Sequence, residues 1–555
     1  MSPCAPHCSR GSRTLTRVCD SSLTRRQLLR YAALVGATFP LAGSFSLAEA
    51  AGVGRPVPIN LELVTVTDTE AVVTWFTGDP TQLDEFGRPV PVAAPGRVLI
   101  GTSPDVRTWK EVGAHGPTPY HYVEIRGLRP GATYYWRAES NGVPAVPTVV
   151  PRTDPLGGSA PPVFTTLVPP PGREIGSVAW LNDLHYGEQV AGLAYSTSAL
   201  PRGGFPPGFP VDPQHPYWRF MGKGAVQEAR ARGCDLLLAN GDLSNESEPA
   251  ALAECKSNLD AFGTLGGPDL IRPGTSTHYF VTRGNHDRQI AGAPHTSCEK
   301  AAGGLYDCFD DGFRAGFRKG TQHFSVGYGD DRARFRFVGL DSNDGSTTGV
   351  LRQHEMDFLE AELKRGDLTI PLFHHPASAT ASLSNLTPLV GGLDTNDARA
   401  FRQLLGKHDN VAGVYAGHTH RNNYSTNLET GSVPYFEGGA VKEYPGGYTV
   451  VRLFEGGFMA NFWKTSTPEA RAWSERSRGE YLGFAPDYQL GSLTDRNWVH
   501  VVDARRTSHV RTGSPAAQGK ANDGTDGVLA STGGLPLAAL GAAALVGAAA
   551  TRRTT

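Results

Sequence analysis

The sequence predicts an α+β protein, with an all-β segment in front of a longer one in which strands and helices alternate. Three observations carry this. Between Pro56 and Thr166 apolar residues alternate with polar ones, as in Leu61-Glu62-Leu63-Val64-Thr65-Val66 and Ala71-Val72-Val73-Thr74-Trp75, with turn residues between the runs. From Gly176 to about Trp463, short apolar runs alternate with stretches of helical periodicity, and each run ends in a block rich in Asp and His. Between the two segments lies a Pro-rich stretch, Val168 to Gly172, which reads as a linker.

At 555 residues the chain has room for two or more domains. A net charge of −2 offers no basic patch for nucleic acid and no acidic disordered tail. Residues 1–50 read as an address rather than as structure. Arg25-Arg26 precedes an apolar run from Tyr31 to about Leu47, and Ala48-Glu49-Ala50 forms a small-x-small cleavage site. This resembles a twin-arginine export signal, which implies passage through the twin-arginine translocase; a membrane anchor is the alternative. After removal of such a leader, Cys234, Cys255, Cys298 and Cys308 remain, an even number. The local pair Cys298/Cys308 and the pair Cys234/Cys255 are the candidate disulfides, with buried free thiols as the alternative.

Within the β segment, 56–166, Tyr122-Val123-Glu124-Ile125 leads to the turn Leu128-Arg129-Pro130-Gly131 and then to Tyr134-Tyr135-Trp136. This resembles the fibronectin type III sandwich, in which Tyr134 would form the tyrosine corner. No catalytic constellation is visible here, and a supporting or docking role is expected.

The longer segment repeats one unit: strand, polar loop, helix. Gly176 to Leu181 ends in Asp183-Leu184-His185, and Asp235 to Ala239 runs into Gly241-Asp242. Tyr279-Phe280-Val281 leads to Gly284-Asn285-His286-Asp287, Thr369 to Phe373 runs into His374-His375-Pro376, and Val411 to Ala416 runs into Gly417-His418-Thr419-His420. Helices are expected over Trp218–Ala231, Pro249–Phe262, Leu351–Lys364 and Asp397–Leu405. In an open α/β sheet, residues just past the carboxyl ends of strands line the ligand crevice. Imidazoles, carboxylates and a carboxamide oxygen suit Mn, Fe, Zn, Co or Ni, and the absence of cysteine ligands argues against a structural zinc site. Seven candidate ligands, Asp183, His185, Asp242, Asn285, His374, His418 and His420, are too many for one ion and suit two divalent or trivalent ions sharing a carboxylate.

The ordered set Asp-x-His, Gly-Asp, Gly-Asn-His-Asp, His-x-Pro, Gly-His-x-His resembles the calcineurin-like metallophosphoesterase superfamily over roughly Val178 to Trp463, giving a domain at 175–465. The resemblance implies a two-sheet β-sandwich flanked by helices. It assigns Asp183, His185 and His420 to one metal, Asn285, His374 and His418 to the other, and Asp242 to both. His375 falls behind the ligands, His286 stabilises the transition state or protonates the leaving group, and Asp287 orients His286. It also implies attack on phosphorus by a metal-bridging hydroxide, with no covalent phosphoenzyme. Purple acid phosphatases likewise put a fibronectin-like module before this domain. They carry a metal-binding tyrosine three residues after the Gly-Asp aspartate, where this chain has Asn245. Gly339-Leu340-Asp341-Ser342 looks like the cyclic-nucleotide phosphodiesterase branch, although a buried turn carboxylate is the plainer reading of Asp341.

Two long loops, Tyr186 to about Pro216 with Tyr195, Phe205 and Phe209, and Arg288 to about Phe317, leave the blocks directly and are candidate lids or substrate walls. Residues 466–510 read as an extension packing on the catalytic domain, and 511–528 as a disordered spacer. Residues 529–555, with Leu529-Ala530-Ser531-Thr532-Gly533 before an apolar run and Arg552-Arg553, resemble a cell-wall sorting signal, implying a sortase as partner; a plain membrane tail is the alternative. The expected function is that of an exported, wall-anchored phosphoesterase acting on small phosphate mono- or diesters. The competing reading is a non-catalytic surface binding protein with a degenerate site.

Overall fold

A computed structural model of the chain describes residues 56–502, apart from 85–87, 148–161, 193–207, 288–308, 310–312, 314–322, 344–347, 378–391, 428–429, 432 and 481–485. The leader, the sorting signal, Tyr195, Phe205, Cys298 and Cys308 lie outside the described residues.

Side-chain alternation along the strands sets the layers. In Glu174–Leu181, Val178 and Trp180 enter one apolar cluster while Ala179 and Leu181 enter another. Leu236–Asn240 divides in the same way, Leu236 and Leu238 against Leu237 and Ala239. A strand with both faces apolar must be covered on both sides. One sheet orders its strands as Thr264–Leu265, His278–Thr282, Leu236–Asn240, Glu174–Leu181, Gly447–Phe454, Gly457–Lys464 and Asn497–Val501. The other runs Leu270–Ile271, Phe324–Gly329, Arg334–Gly339, Leu368–Leu372, Val414–Ala416, Val433–Glu437 and Asn423–Asn427. Val178, Trp180 and Phe280 of the first sheet share a core with Val326, Phe337, Ile370 and Tyr415 of the second. Helices Tyr217–Ala231 and Pro249–Asp260 cover the outside of the first sheet through Met221, Ala225, Leu252 and Cys255. Helices Gln353–Leu363 and Thr395–Gly406 cover the second through Leu359, Leu363, Phe401 and Leu405. The expected two-sheet sandwich flanked by helices is therefore the observed fold.

In front of it stands an antiparallel β-sandwich. Val57–Val66, Glu70–Leu83, Pro89–Pro91 and Tyr120–Arg126 form one sheet, and Ala94–Gly101, Lys110–Thr118, Thr133–Ser140, Val143–Pro144 and Val163–Thr165 the other. Leu63, Val73, Trp75, Val98, Trp136 and Phe164 fill the space between them. Tyr134 closes the tyrosine corner, its Oη accepting the Arg129 N–H at 3.0 Å.

Residues past 465 are woven into the catalytic unit rather than laid on it. Asn497–Val501 is the edge strand of the first sheet, antiparallel to Gly457–Lys464. Its start also grips the sandwich. Asn497 Nδ2 donates to Val64 O at 3.1 Å, Arg496 Nη2 to Leu63 O at 2.6 Å, and Asn461 Nδ2 to Val66 O at 2.8 Å.

Two expectations need correction. Cys234 and Cys255 are both free, buried thiols within the apolar cluster beneath the first sheet, and act as small hydrophobes there rather than as a bridge. Phe209 is no substrate wall: it is fully buried, edge-on to Trp473 at 5.9 Å between ring centroids.

Candidate active site

Each of the five blocks follows the carboxyl end of a strand, and neighbouring parallel strands bring the loops to one end of the sandwich. The backbone there is unusual. Eight non-glycine residues among those described have positive φ, and five of them are Asp183, His185, Asp242, His418 and His420, at 54°, 47°, 49°, 70° and 53°. Left-handed backbone disfavours L side chains, so its concentration at candidate ligands marks loops bent to aim donors inward. Gly241 takes φ +82°, and a Cβ there would stand 2.4 Å from His374 Nδ1. Gly284 lets the backbone approach Asp242 closely.

The structure brings all seven predicted ligands together. One group unites Asp183, His185, Asp242 and His420, and a second unites Asp242, His374 and His418, with ligand atoms in each within 4.8 Å of one another. Asp242 Oδ2 lies 3.4 Å from His185 Nε2 and 3.1 Å from His374 Nε2, and Asp183 Oδ1 lies 3.3 Å from His420 Nε2. Asn285 Oδ1 is 3.0 Å from His418 Nδ1, which joins it to the second group.

Whether these residues fit a metal pair is decided by unspent donors. Among the described residues, His185 Nε2, His374 Nε2 and His418 Nε2 are buried with no hydrogen-bond partner, a costly arrangement for imidazoles grouped around Asp183 and Asp242. Cations resolve it. The charge pattern agrees: burial opposes ionisation of Asp242, yet the imidazoles of His374, His286 and His185 hold it well below the usual carboxylate range. Burial also pulls His374 and His420 down, but the carboxylates around them prevail and push them up to about 9 and about 10.

Around this set lies a layer that fixes the ligands. Glu443 Oε1 accepts from His420 Nδ1 at 2.6 Å, and Asn240 O accepts from His374 Nδ1 at 3.1 Å. Each bond fixes the tautomer that turns Nε2 inward. His375 packs behind the ligands, 4.6 Å from the His418 ring and 2.8 Å from Ser342 Oγ. Asp183 is held by Asn182 Nδ2, and Asn182 by the Tyr415 hydroxyl. Glu443 and Asn182 carried no signal in the sequence, Glu443 because it lies in none of the Asp/His blocks.

Within the Asn-His-Asp block, the role of Asp287 differs from expectation. Asp287 does not orient His286. Its carboxylate accepts from Leu243 N, Ser244 N, Ser244 Oγ and Gly284 N at 2.7–3.0 Å, tying the Gly-Asp loop to its own. Its short side chain, fully buried beneath the two loops, is spent on these four donors. His286 is oriented by Asn245 instead, whose carbonyl accepts from Nδ1 at 2.8 Å, while the His286 N–H donates to Asp242 Oδ1 at 2.8 Å. Asp341 is a buried structural carboxylate: it pairs with Arg283, just before the block, and accepts from Asn343 N, while Asn343 Nδ2 donates to Gly284 O.

Fold and site together define a metal-dependent phosphoester hydrolase. Residues 176–422 match the family model described as calcineurin-like phosphoesterase. Among solved structures, the chain is similar to purple acid phosphatase PPD1 from yellow lupin (Lupinus luteus), at 16% identity and TM-score 0.33, covering 75% of this chain and 73% of that one. It is similar to PhoD at 12% identity and TM-score 0.32, covering 74% and 87%. A fibronectin type III domain derived from human KIAA0970 matches 24% of this chain over 88% of its own length, at 18% identity and TM-score 0.15. No curated protein sequence matches the chain.

Proposed function

We propose that the chain hydrolyses phosphate mono- or diesters outside the cytoplasmic membrane. The observation that carries this is the shared carboxylate. Asp242 stands in both ligand groups and takes the backbone N–H of His286, which places one general-acid candidate beside a two-ion site. Asp183, His185 and His420 would hold one ion, Asn285, His374 and His418 the other, and Asp242 both. When bound, such a pair supplies an activated water near neutral pH and neutralises charge on phosphoryl oxygens. The chain's own contribution is orientation and proton delivery. Because His286 Nδ1 donates to Asn245 O, Nε2 is the nitrogen left for substrate. Protonated, it hands its proton to the leaving oxygen as the phosphorus–oxygen bond breaks. All seven ligand positions and His286 are intact, which favours catalysis over a degenerate binding role.

The test is hydrolysis of p-nitrophenyl phosphate and its bis ester by metal-loaded protein, with and without chelator. We expect turnover of at least one, abolished by chelation, and a kcat lower by about 10²–10⁴-fold in His286→Ala. No turnover of either by metal-loaded protein would favour the binding reading. Export and wall attachment rest on the leader over 1–50 and on the signal around Thr532. Cell fractionation checks them: the protein should stay covalently in the wall fraction, and Thr532→Ala should release it.

A further inference from the structure

A second cluster of metal-ligating side chains lies outside the site already described. His323, just before strand Phe324–Gly329, meets His354 and Glu355 in the first turn of helix Gln353–Leu363. We infer that these three residues form a separate site for a divalent first-row cation, zinc in the first instance, clasping the strand to the helix.

The geometry is that of ligands rather than of a hydrogen-bonded pair. Glu355 Oε1 faces two imidazole nitrogens at once, His354 Nε2 at 3.0 Å and His323 Nε2 at 3.4 Å. Zinc bonds of ~2.0–2.2 Å in a tetrahedron separate ligand atoms by ~3.3–3.6 Å, which is the His323 spacing; the exposed His354 side chain would open by a few tenths of an ångström to join it. A hydrogen bond to His354 would account for one contact and leave the other unexplained. The His323 side chain is only 4% exposed, and its Nε2 has no hydrogen-bond partner among the described residues. A buried imidazole nitrogen aimed at a buried carboxylate oxygen, with nothing between them, is a donor set waiting for a cation.

The rest of the cluster is arranged to release Oε1. Glu355 Oε2 is already used by the Arg352 N–H at 2.9 Å, as a capping box requires. The Arg352 guanidinium lies 3.6 Å from Oε1, farther than either imidazole, and also donates to Asn343 O. The helix N-terminus disfavours a cation, and the Glu355 charge offsets this. His354 is 57% exposed, which leaves an entry path and an open fourth position for water. Two imidazoles and one carboxylate, without thiolate, select zinc and its neighbours over calcium or magnesium.

The test compares zinc content of full-length wild type with that of His354→Gln and His323→Gln, each stripped and reloaded with zinc under the same conditions. His354→Gln removes an exposed side chain and should leave the circular dichroism spectrum unchanged. We expect each variant to bind one equivalent less than wild type, and His354→Gln to keep phosphoesterase turnover. Reading the difference makes the result independent of how many ions the main centre holds. Equal zinc content in wild type and His354→Gln would overturn the inference and leave the cluster an imidazole–carboxylate contact. As a second readout, cobalt-loaded wild type minus cobalt-loaded His354→Gln should show a visible absorption band, and a flat difference spectrum would also overturn it.

Discussion

At Gly284 there is no room for a side chain. A Cβ would stand 2.2 Å from Asp242 Oδ1 and 2.3 Å from Asp242 N, and the second of these is backbone that cannot swing away. Gly284→Ala is therefore expected to push the Gly-Asp loop, and with it the Asp242 carboxylate shared by both ligand groups, out of place while leaving the distant core intact. Displacing reacting groups by about 1 Å can cost about 10²-fold in rate. Bound metal and kcat should fall together in this variant with little change in the circular dichroism spectrum; full metal content with normal turnover would show that the loop yields. Glu443 acts at one remove. Its bond to His420 Nδ1 fixes the ring that reaches Asp183, and loss of such a partner typically weakens metal affinity by 10–100-fold. Glu443→Gln keeps the shape and removes the charge. Calorimetric metal titration should show that weakening, and unchanged affinity would reduce Glu443 to a packing residue.

At the scale of elements, the apolar run that holds Val178 and Ala179 was readable in the sequence as a strand, and so were the helices, because such patterns are local, whereas the division of the two residues between separate cores showed only in the structure. The ligand blocks were readable for the same reason: each is a short motif beside the strand that aims it. What escaped notice was contact between distant segments. Nothing near Asn497 announces an edge strand, Asp287 spends its carboxylate on residues more than forty positions earlier, and the thiols of Cys234 and Cys255 are apolar filling. Another such contact joins the first strand of the sandwich to the catalytic unit. Glu62, buried, pairs with Lys464 and Arg478 and accepts from Tyr444 Oη at 2.7 Å. Burial opposes its charge, but the two cations hold its pKa down at about 2, so its contribution is complete above 4.5 and is lost as pH falls through about 2. Glu475, which accepts from Asn60 and faces Glu62, Lys464 and Arg478, behaves oppositely. Burial pushes its carboxyl up to about 7, so the folded chain holds a proton that the unfolded chain releases near 4.5. Its contribution is complete below 4.5 and gone above 7. Glu475 keeps some contact with water, so the effect is at most about 3 kcal/mol. In urea denaturation, Glu475→Gln should flatten the pH dependence of stability between 4.5 and 7. A profile parallel to wild type would show that Glu475 is ionised in the fold.

Across the molecule, the sandwich and the catalytic unit share too many buried polar contacts to behave as beads on a linker. Thr65 Oγ1 donates to Phe462 O, Val66 N to Asn497 Oδ1, and Asn461 Nδ2 to Val66 O, while Arg496 reaches Val64 O and Leu63 O and Asn497 Nδ2 reaches Val64 O. At about 1 kcal/mol net per hydrogen bond, this set alone is comparable to the stability of a small domain. The ion cluster around Glu62 adds an asymmetric penalty. Removing one partner of a buried pair costs about 3–5 kcal/mol because the remaining charge stays desolvated. That cost belongs to a point change such as Glu62→Ala; a chain lacking 56–166 instead loses the Glu62 carboxylate and the Leu63 and Val64 carbonyls that Lys464, Arg478 and Arg496 bond to, together with the apolar contacts of Val64 and Val72 with the catalytic core. The full chain is therefore expected to unfold in one calorimetric transition, and the chain lacking 56–166 to melt far lower or to be recovered insoluble. Two separate transitions in the full chain, the first matching the isolated sandwich, would show that these bonds form after each unit is already stable and couple them only weakly.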